Sequence, residues 1–327
     1  VSDQECRSEL REFDDSFYFV FSDFIHALQP LAYPSFAFAW VTLISHRMYL
    51  PTMLRMKDKK GWVKVNQTFV YLFRYLDKYS SIGQVPDSVA VLYKGVLRIA
   101  LAIFNDVPEY FIENHFVLLN NLPSSYLQLR NLILSAIPKK MCFPSPYNRN
   151  TDIADISECT NNNPTHFYNT TAELGLLKKP IESYLRIPSS SLMRNITNQI
   201  SCASTLDEMK GVGFDIATID RKLINAVVMH IGEEAGNELL NTSKQAILNV
   251  KSSYYMLLSN LIANGNDEFI YYMIDCMVNQ LRYPNAQTFF FHYTLTTMFK
   301  DGTSSWSDTK KNSVQEIILR ALLARLL

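Results

Sequence analysis

Apolar residues recur every three or four positions along nearly the whole chain, and prolines fall at or just before the heads of these stripes. A proline is tolerated in the first turn of a helix, where its missing N–H costs nothing. Pro34, Pro86, Pro108, Pro123, Pro180, Pro188 and Pro284 all sit this way. Alternating strand patterns are nearly absent, so the chain has little choice but to be helical. The stripes predict helices over 14–28, 34–49, 62–79, 87–104, 108–119, 124–137, 180–186, 189–201, 218–240, 246–263, 267–282, 286–299 and 311–326.

Helical phase supports these boundaries. In 62–79, Trp62, Val65, Phe69, Leu72, Phe73 and Leu76 share one face, while Lys64, Gln67, Tyr71, Arg74 and Lys78 share the other. In 87–104, Val89, Leu92, Tyr93, Val96, Ala100, Ile103 and Phe104 form an apolar stripe opposite Lys94, Arg98 and Asn105. Both patterns describe half-buried helices. Segment 34–49 differs, because Phe36, Ala37, Phe38, Ala39, Trp40, Val41, Leu43, Ile44, Met48 and Tyr49 cover most of its circumference. Such a helix is expected to be buried between neighbours.

Helices of this length joined by short turns predict an all-α fold, a HEAT-like α-solenoid of stacked antiparallel helix pairs. Residues 138–179 break the rhythm with Pro138, Pro144, Pro146, Pro164 and the run Asn161-Asn162-Asn163. The expected organisation is an N-terminal helical half over 1–137, a proline- and asparagine-rich connector with a short helix over 138–187, and a C-terminal half over 188–327, together one scaffold domain. A second loop, Asp301 to Asp308, is rich in Ser and Gly.

Composition narrows the function classes. Apolar residues make up 48% of the 327, enough for an extended core and too many for a disordered chain. Basic and acidic residues number 31 each, whereas a nucleic-acid binder usually shows a basic excess. The lysines gather only in small groups: Lys57, Lys59, Lys60 and Lys64; Lys139 and Lys140; Lys178 and Lys179; Lys310 and Lys311. These read as solvated helix ends, and direct RNA binding is not indicated. Five scattered cysteines without a CxxC pair fit a reducing compartment. The sequons at Asn66, Asn169, Asn195 and Asn241 read as chance matches, since Asn66 and Asn195 fall in expected helices. The longest apolar run, Phe36 to Ile44, falls well short of the ~20 residues a membrane span needs.

No motif for catalysis stands out. Walker A, GxSxG, HExxH and GxGxxG patterns are absent, and Gly211-Val212-Gly213 is a lone GxG. His230, Glu233 and Glu234 could share a helix side, but a di-metal bundle needs such sets on several helices. His230 also shares its phase with Ile219, Leu223, Ala226 and Val227, so it reads as a packed histidine. No catalytic, cofactor-binding or metal-binding residue is assigned, and no cofactor is expected. A helical hydrolase would need a convergent pocket of titratable groups.

Two arginines lie on apolar faces. Arg130 points among Tyr126, Ile133, Leu134 and Ile137, away from the polar stripe Gln128, Asn131 and Ser135; Arg47 shares a face with Phe36, Trp40 and Leu43. A buried arginine must be paired, so both are candidates for internal ion pairs. The acids Asp106 and Glu109 are available to Arg130. The other reading is an exposed apolar groove with an Arg anchor for a partner. Segment 267–282 is expected to form surface: Ile270, Met273, Ile274, Met277, Val278 and Leu281 face inward, and Asp275, Asn279 and Arg282 outward with Tyr272 and Tyr283 beside them. These five are candidate partner-binding residues, since aromatics next to Arg are typical of interface hot spots.

Several blocks carry a family resemblance. Pro34-Ser-Phe-Ala-Phe-Ala-Trp-Val-Thr-Leu-Ile-Ser-His-Arg-Met48 resembles a recognisable stretch of the C-terminal domain of the large scaffold subunit of the CCR-NOT messenger-RNA deadenylase complex. Leu92-Tyr-Lys-Gly-Val-Leu-Arg-Ile99, Asp106-Val-Pro-Glu-Tyr110, Leu127-Gln-Leu-Arg-Asn-Leu-Ile-Leu-Ser-Ala-Ile-Pro138 and Gln280-Leu-Arg-Tyr-Pro-Asn285 match in the same order. The asparagine-rich loops resemble those of fungal members. The resemblance implies a non-catalytic helical scaffold of the cytoplasm and nucleus. It implies docking of the extended N-terminal regions of a heterodimer, the second NOT subunit with the third or fifth. This tethers them to the rest of the deadenylase complex, for mRNA decay and repression of translation and transcription. Family members continue with further helices, so the chain is expected to stop at Leu327 short of the domain's end. A helical RNA-binding or transport-receptor solenoid is the alternative, and a basic concave stripe would mark it.

Overall fold

Pro51 fixes where the helix after the most apolar part of the chain can begin. A proline inside a helix lacks the N–H needed for the i−4 bond, and its ring collides with the carbonyl four residues back. In the computed structural model the expected single helix over 34–49 is broken, and Pro51 lies beyond it. A 3-10 turn, Pro34–Phe36, leads into α2, Ala37–Ile44, and α3, Leu50–Arg55, starts afresh with its proline in the first turn. The turn between them is held by the Tyr49 amide on the His46 carbonyl at 2.9 Å and the Met48 amide on His46 Nδ1 at 3.3 Å. Nor is the segment buried all round. Ala37, Trp40, Val41 and Ile44 are buried, but Phe38 is 50% and Met48 59% exposed.

The structure describes residues 2–80, 85–139, 141, 147, 170–206, 220–241, 244–300 and 306–326. Among them there is no strand. Most of the expected 138–179 loop, Gly211 and Gly213, and most of the 301–308 loop lie outside the described residues. The chain divides into two compact units, one built mainly on residues 1–139 and the other mainly on residues 169–327.

In the first unit, α1 (Ser2–Ala27) is followed by α2 and α3, then α4 (Trp62–Ser80), α5 (Asp87–Asp106), α6 (Pro108–Asn121) and α7 (Leu127–Leu134). Helices near in sequence pack on one another: α3 and α1 against α4, α2 against α5, and α4, α5 and α7 against α6. This is helix-on-helix stacking through short turns, the local order of an α-solenoid. The predicted inner face of α4 is the core face, with Trp62, Val65, Phe69, Leu72, Phe73 and Leu76 all buried. On α5, Val89, Leu92, Val96, Ala100 and Ile103 are buried as expected and Ile99 joins them, while Tyr93 and Phe104 are half-buried.

The second unit holds α8 (Thr170–Leu174), α9 (Lys178–Arg186), α10 (Ser190–Leu206), α11 (Arg221–Asn241), α12 (Lys244–Ile247), α13 (Ser253–Asn264), α14 (Asp267–Asn279), α15 (Ala286–Lys300) and α16 (Asp308–Leu326). The expected helix over 246–263 is two helices, because the chain turns at 248–252 before Ser253. α14 begins on a side-chain cap, with Asn266 Oδ1 accepting from the Phe269 amide at 2.9 Å. Asn285 caps the start of α15 in the same way, accepting from Thr288 at 2.8 Å. At the centre is α11, which packs on α8, α14 and α15 and buries residues 223–232 without interruption. That run includes Asn225 and His230, so His230 is the packed residue its phase suggested. Burial lowers the pKa of His230, and raises that of Glu233 to about 6 with help from neighbouring Glu234.

Candidate docking surfaces

The first unit is tied together by polar side chains buried under α4. Asn66 accepts from the Tyr110 hydroxyl at 2.7 Å and donates to Asn114 Oδ1 at 2.6 Å, and Asn114 donates on to the Tyr110 carbonyl at 2.9 Å. All three are buried, and each buried polar group that finds a partner avoids a desolvation cost. Asn66 and Thr68 of the Asn66 sequon are therefore both interior. His26 of α1 bonds Thr68 at 2.8 Å and meets the Tyr71 ring edge-on at 5.3 Å.

Above this network the outer side of α4 is an open trough of about 400 Å³. Val63, Gln67, Val70, Tyr71 and Arg74 of α4 line it with Asn66, and Val117 of α6 forms a wall. The volume falls in the range of ligand clefts, about 300–1,000 Å³. Sequence reasoning placed Gln67, Tyr71 and Arg74 on a solvated face and missed the trough. The available signal was the pair of valines, Val63 and Val70, flanking that polar stripe. The neighbouring lysines are partly spent: Lys59 pairs with Glu113 and Lys64 with Asp23.

The expected outward stripe on 267–282 is corrected by the structure. Ile270, Met273, Ile274, Met277 and Val278 are buried as anticipated. So are Asn279, Arg282 and Tyr283, with Arg282 only 8% exposed. Two causes act. α14 packs on α11, α13, α15 and α16, which buries a wide face. It also ends at Asn279, so Arg282 and Tyr283 no longer follow its phase. The turn folds inward instead, with the Arg282 amide on the Gln280 carbonyl at 2.9 Å and the Asn285 amide on the Tyr283 carbonyl at 2.8 Å. The Arg282 guanidinium lies 4.8 Å from the Tyr283 ring centre, and burial disfavours its charge. Tyr272 and Asp275 keep part of their surface. Tyr272 is covered by Arg221 of α11, whose guanidinium sits 4.2 Å from the ring centre and donates to the hydroxyl.

The two arginines singled out by phase part company. Arg47 is exposed in the turn after α2, so it is not an interior ion-pair residue. The helix ends at Ile44, and the phase that placed Arg47 beside Trp40 does not reach it. Arg130 is buried on α7 together with Leu129, Ile133 and Leu134. Replacing Arg130 with Ala should cost about 3 kcal/mol or more, because the groups that solvate a buried guanidinium lose it. Chemical denaturation followed by circular dichroism measures this. A variant with wild-type stability would remove Arg130 from the structural framework.

A third surface lies on α16. Val314, Ile318 and Ala321 are buried, while Leu319, Leu322, Leu323 and Leu326 form an exposed stripe at helical spacing.

The whole chain, residues 1–327, matches the family model described as CCR4-Not complex component, Not1. The chain belongs to the Not1 family. It is 51% identical over 327 residues to the General negative regulator of transcription subunit 1 of Saccharomyces cerevisiae, covering 100% of this chain and 15% of that protein. It superposes with a TM-score of 0.85 on a solved Not1 C-terminal domain in complex with Not4. The two are 50% identical, over 100% of this chain and 63% of that one. The NOT1 superfamily homology domain from Chaetomium thermophilum gives a TM-score of 0.80 at 29% identity, over 93% of this chain and 59% of that one. The Not1 relationship therefore extends over both units, and the all-helical fold goes with it. The family resemblance read from Pro34–Met48 and the four later blocks is thus established.

Proposed function

We propose that this chain is a non-catalytic docking platform of a CCR4-Not complex, working in the cytoplasm and nucleus. On this reading it holds a Not4-type subunit. It also holds the extended regions of the second NOT subunit and its third or fifth partner, and through the longer scaffold it connects them to the deadenylase. The observation that carries the reading is the 50% identity, over all of this chain, to a Not1 C-terminal domain solved in complex with Not4. Stacked helices suit the task. They present long, rigid grooves over which an extended segment can lie, and that segment loses its ordering entropy only on binding. Activity on messenger RNA then comes from raising the local concentration of nuclease near a transcript rather than from chemistry in this chain.

The test is reconstitution with purified subunits. The chain should form stoichiometric complexes with a Not4-type subunit and with the NOT heterodimer in size-exclusion chromatography. It should leave a poly(A) substrate intact on its own. Failure to bind any of these subunits, or metal-dependent shortening of poly(A) by the purified chain, would refute the scaffold reading.

A further inference from the structure

We propose that the trough over α4 seats a short amphipathic partner segment that combines aliphatic side chains with aspartate or glutamate. The inference rests on the docking reading and specifies the chemistry of its partner. Val63, Val70 and Val117 give the trough an aliphatic lining, and Val63 is 46% exposed. An aliphatic surface of this kind gains by losing water to aliphatic groups of a partner.

Charge sets the orientation. Near the start of α4, Glu113 is already taken by Lys59 and Asp23 by Lys64. At the other end Arg74 lines the trough and Lys78 follows one turn later on the same face. Both are exposed, and among the described residues no carboxylate pairs with either. Asp77 faces Tyr126, whose pKa is raised by burial first and then by the charges of Tyr93 and Asp77. The trough thus has three valines in its lining and, among the described residues, a cationic end without a carboxylate partner. An acidic side chain on the partner is what complements it, and Arg74 can bind a carboxylate with two parallel hydrogen bonds.

The site is also preformed. Tyr71 is fixed by its edge contact with His26, and the floor residue Asn66 is fixed by Tyr110 and Asn114. A rigid receptor loses little entropy on binding. A nucleic-acid strand fits less well, since Tyr71 is the single aromatic ring among the lining residues and three valines face the occupant.

The test uses the full chain and two labelled synthetic peptides with the same leucine pattern. One carries glutamate and the other lysine at the polar positions, and fluorescence anisotropy reads binding. The glutamate peptide should bind at least tenfold more tightly. Arg74→Glu should erase or reverse that preference without changing the melting temperature, because Arg74 is exposed. Val70→Asp should weaken the glutamate peptide at least tenfold. Equal affinity for the two peptides, or an unchanged preference in Arg74→Glu, overturns the proposal. So does a poly(A) oligonucleotide that binds more tightly than the glutamate peptide and is lost in Arg74→Glu. A Not4-type subunit that fails to bind the wild-type chain would count against the docking reading alone, because the peptide titration does not use it.

Discussion

Trp40→Ala should destabilise the first unit by about 4 kcal/mol, within the 3–5 kcal/mol typical of emptying a buried aromatic site. The indole is fully buried, and its Nε1 donates to the Ile25 carbonyl at 2.8 Å, so one side chain both fills the space between α1 and α2 and satisfies the end of α1. Alanine leaves a cavity and removes one of the two donors on the Ile25 carbonyl, which keeps the Leu28 amide at 3.1 Å. Trp40→Phe separates the two losses. It keeps most of the volume and removes one of two donors on the Ile25 carbonyl, so it should cost about 0.5–1.5 kcal/mol, the net contribution of a single hydrogen bond. Urea titrations followed by far-ultraviolet circular dichroism give both values. If the alanine variant loses less than the phenylalanine variant, cavity formation is not what Trp40 prevents.

A comparable loss is expected at Gly232. Glycine inside an exposed helix costs about 1 kcal/mol relative to alanine, so Gly→Ala usually stabilises. Here the sign should reverse. A Cβ at position 232 would lie 2.4 Å from Cε2 and 2.6 Å from Cζ of Phe291, and 2.9 Å from Nε2 of Gln287. Phe291 is fully buried and has nowhere to turn. One turn on, a Cβ at Gly236 would come within 3.2 Å of the Gln287 backbone nitrogen. The two glycines therefore let α11 and α15 approach backbone to backbone. Overpacking a core costs about 1–3 kcal/mol, occasionally more. Gly232→Ala should lose about 2 kcal/mol, and Gly232→Val about 3 kcal/mol or more. Phe291→Leu in the alanine background should recover part of the loss, since the two changes share one space. A Gly232→Ala variant that melts above wild type would show that α11 and α15 are not so close.

Legibility tracked the helix interior. Between Trp62 and Leu76 a regular helix meets the core along one side, and every residue assigned inward from phase is buried. Arg130, three residues into α7, was placed correctly for the same reason. Arg47 and Arg282 failed together, and for one cause: each lies past the end of its helix, where the phase that carried the assignment has stopped. Pro51 marks only where the next helix starts; nothing inside 34–49 signalled the end at Ile44. The end at Asn279 had a weak signal, Pro284 five residues on. Asn279 failed differently. It lies inside α14, and only the packing of four neighbours decides how much of that helix is covered. The trough was out of reach for a similar reason, since Val117 belongs to another helix and meets Val63 and Val70 only in the folded unit. The leucine spacing on α16 was visible, but its exposure was not.

The central position of α11 also has a consequence for the order in which the protein is made. A chain leaves the ribosome from its N-terminus, and domains tend to fold as they emerge. The first unit is assembled from helices close together in sequence, so each new helix finds its neighbour already outside. α11 meets α8, already made, on one side, but the surface that holds Phe291 and Gln287 belongs to α15, which is synthesised later. Until Lys300 has cleared the exit tunnel, Gly232, Gly236 and the apolar residues around them face water. In that interval the nascent second unit exposes apolar surface that the first unit, built from helices near in sequence, has already covered.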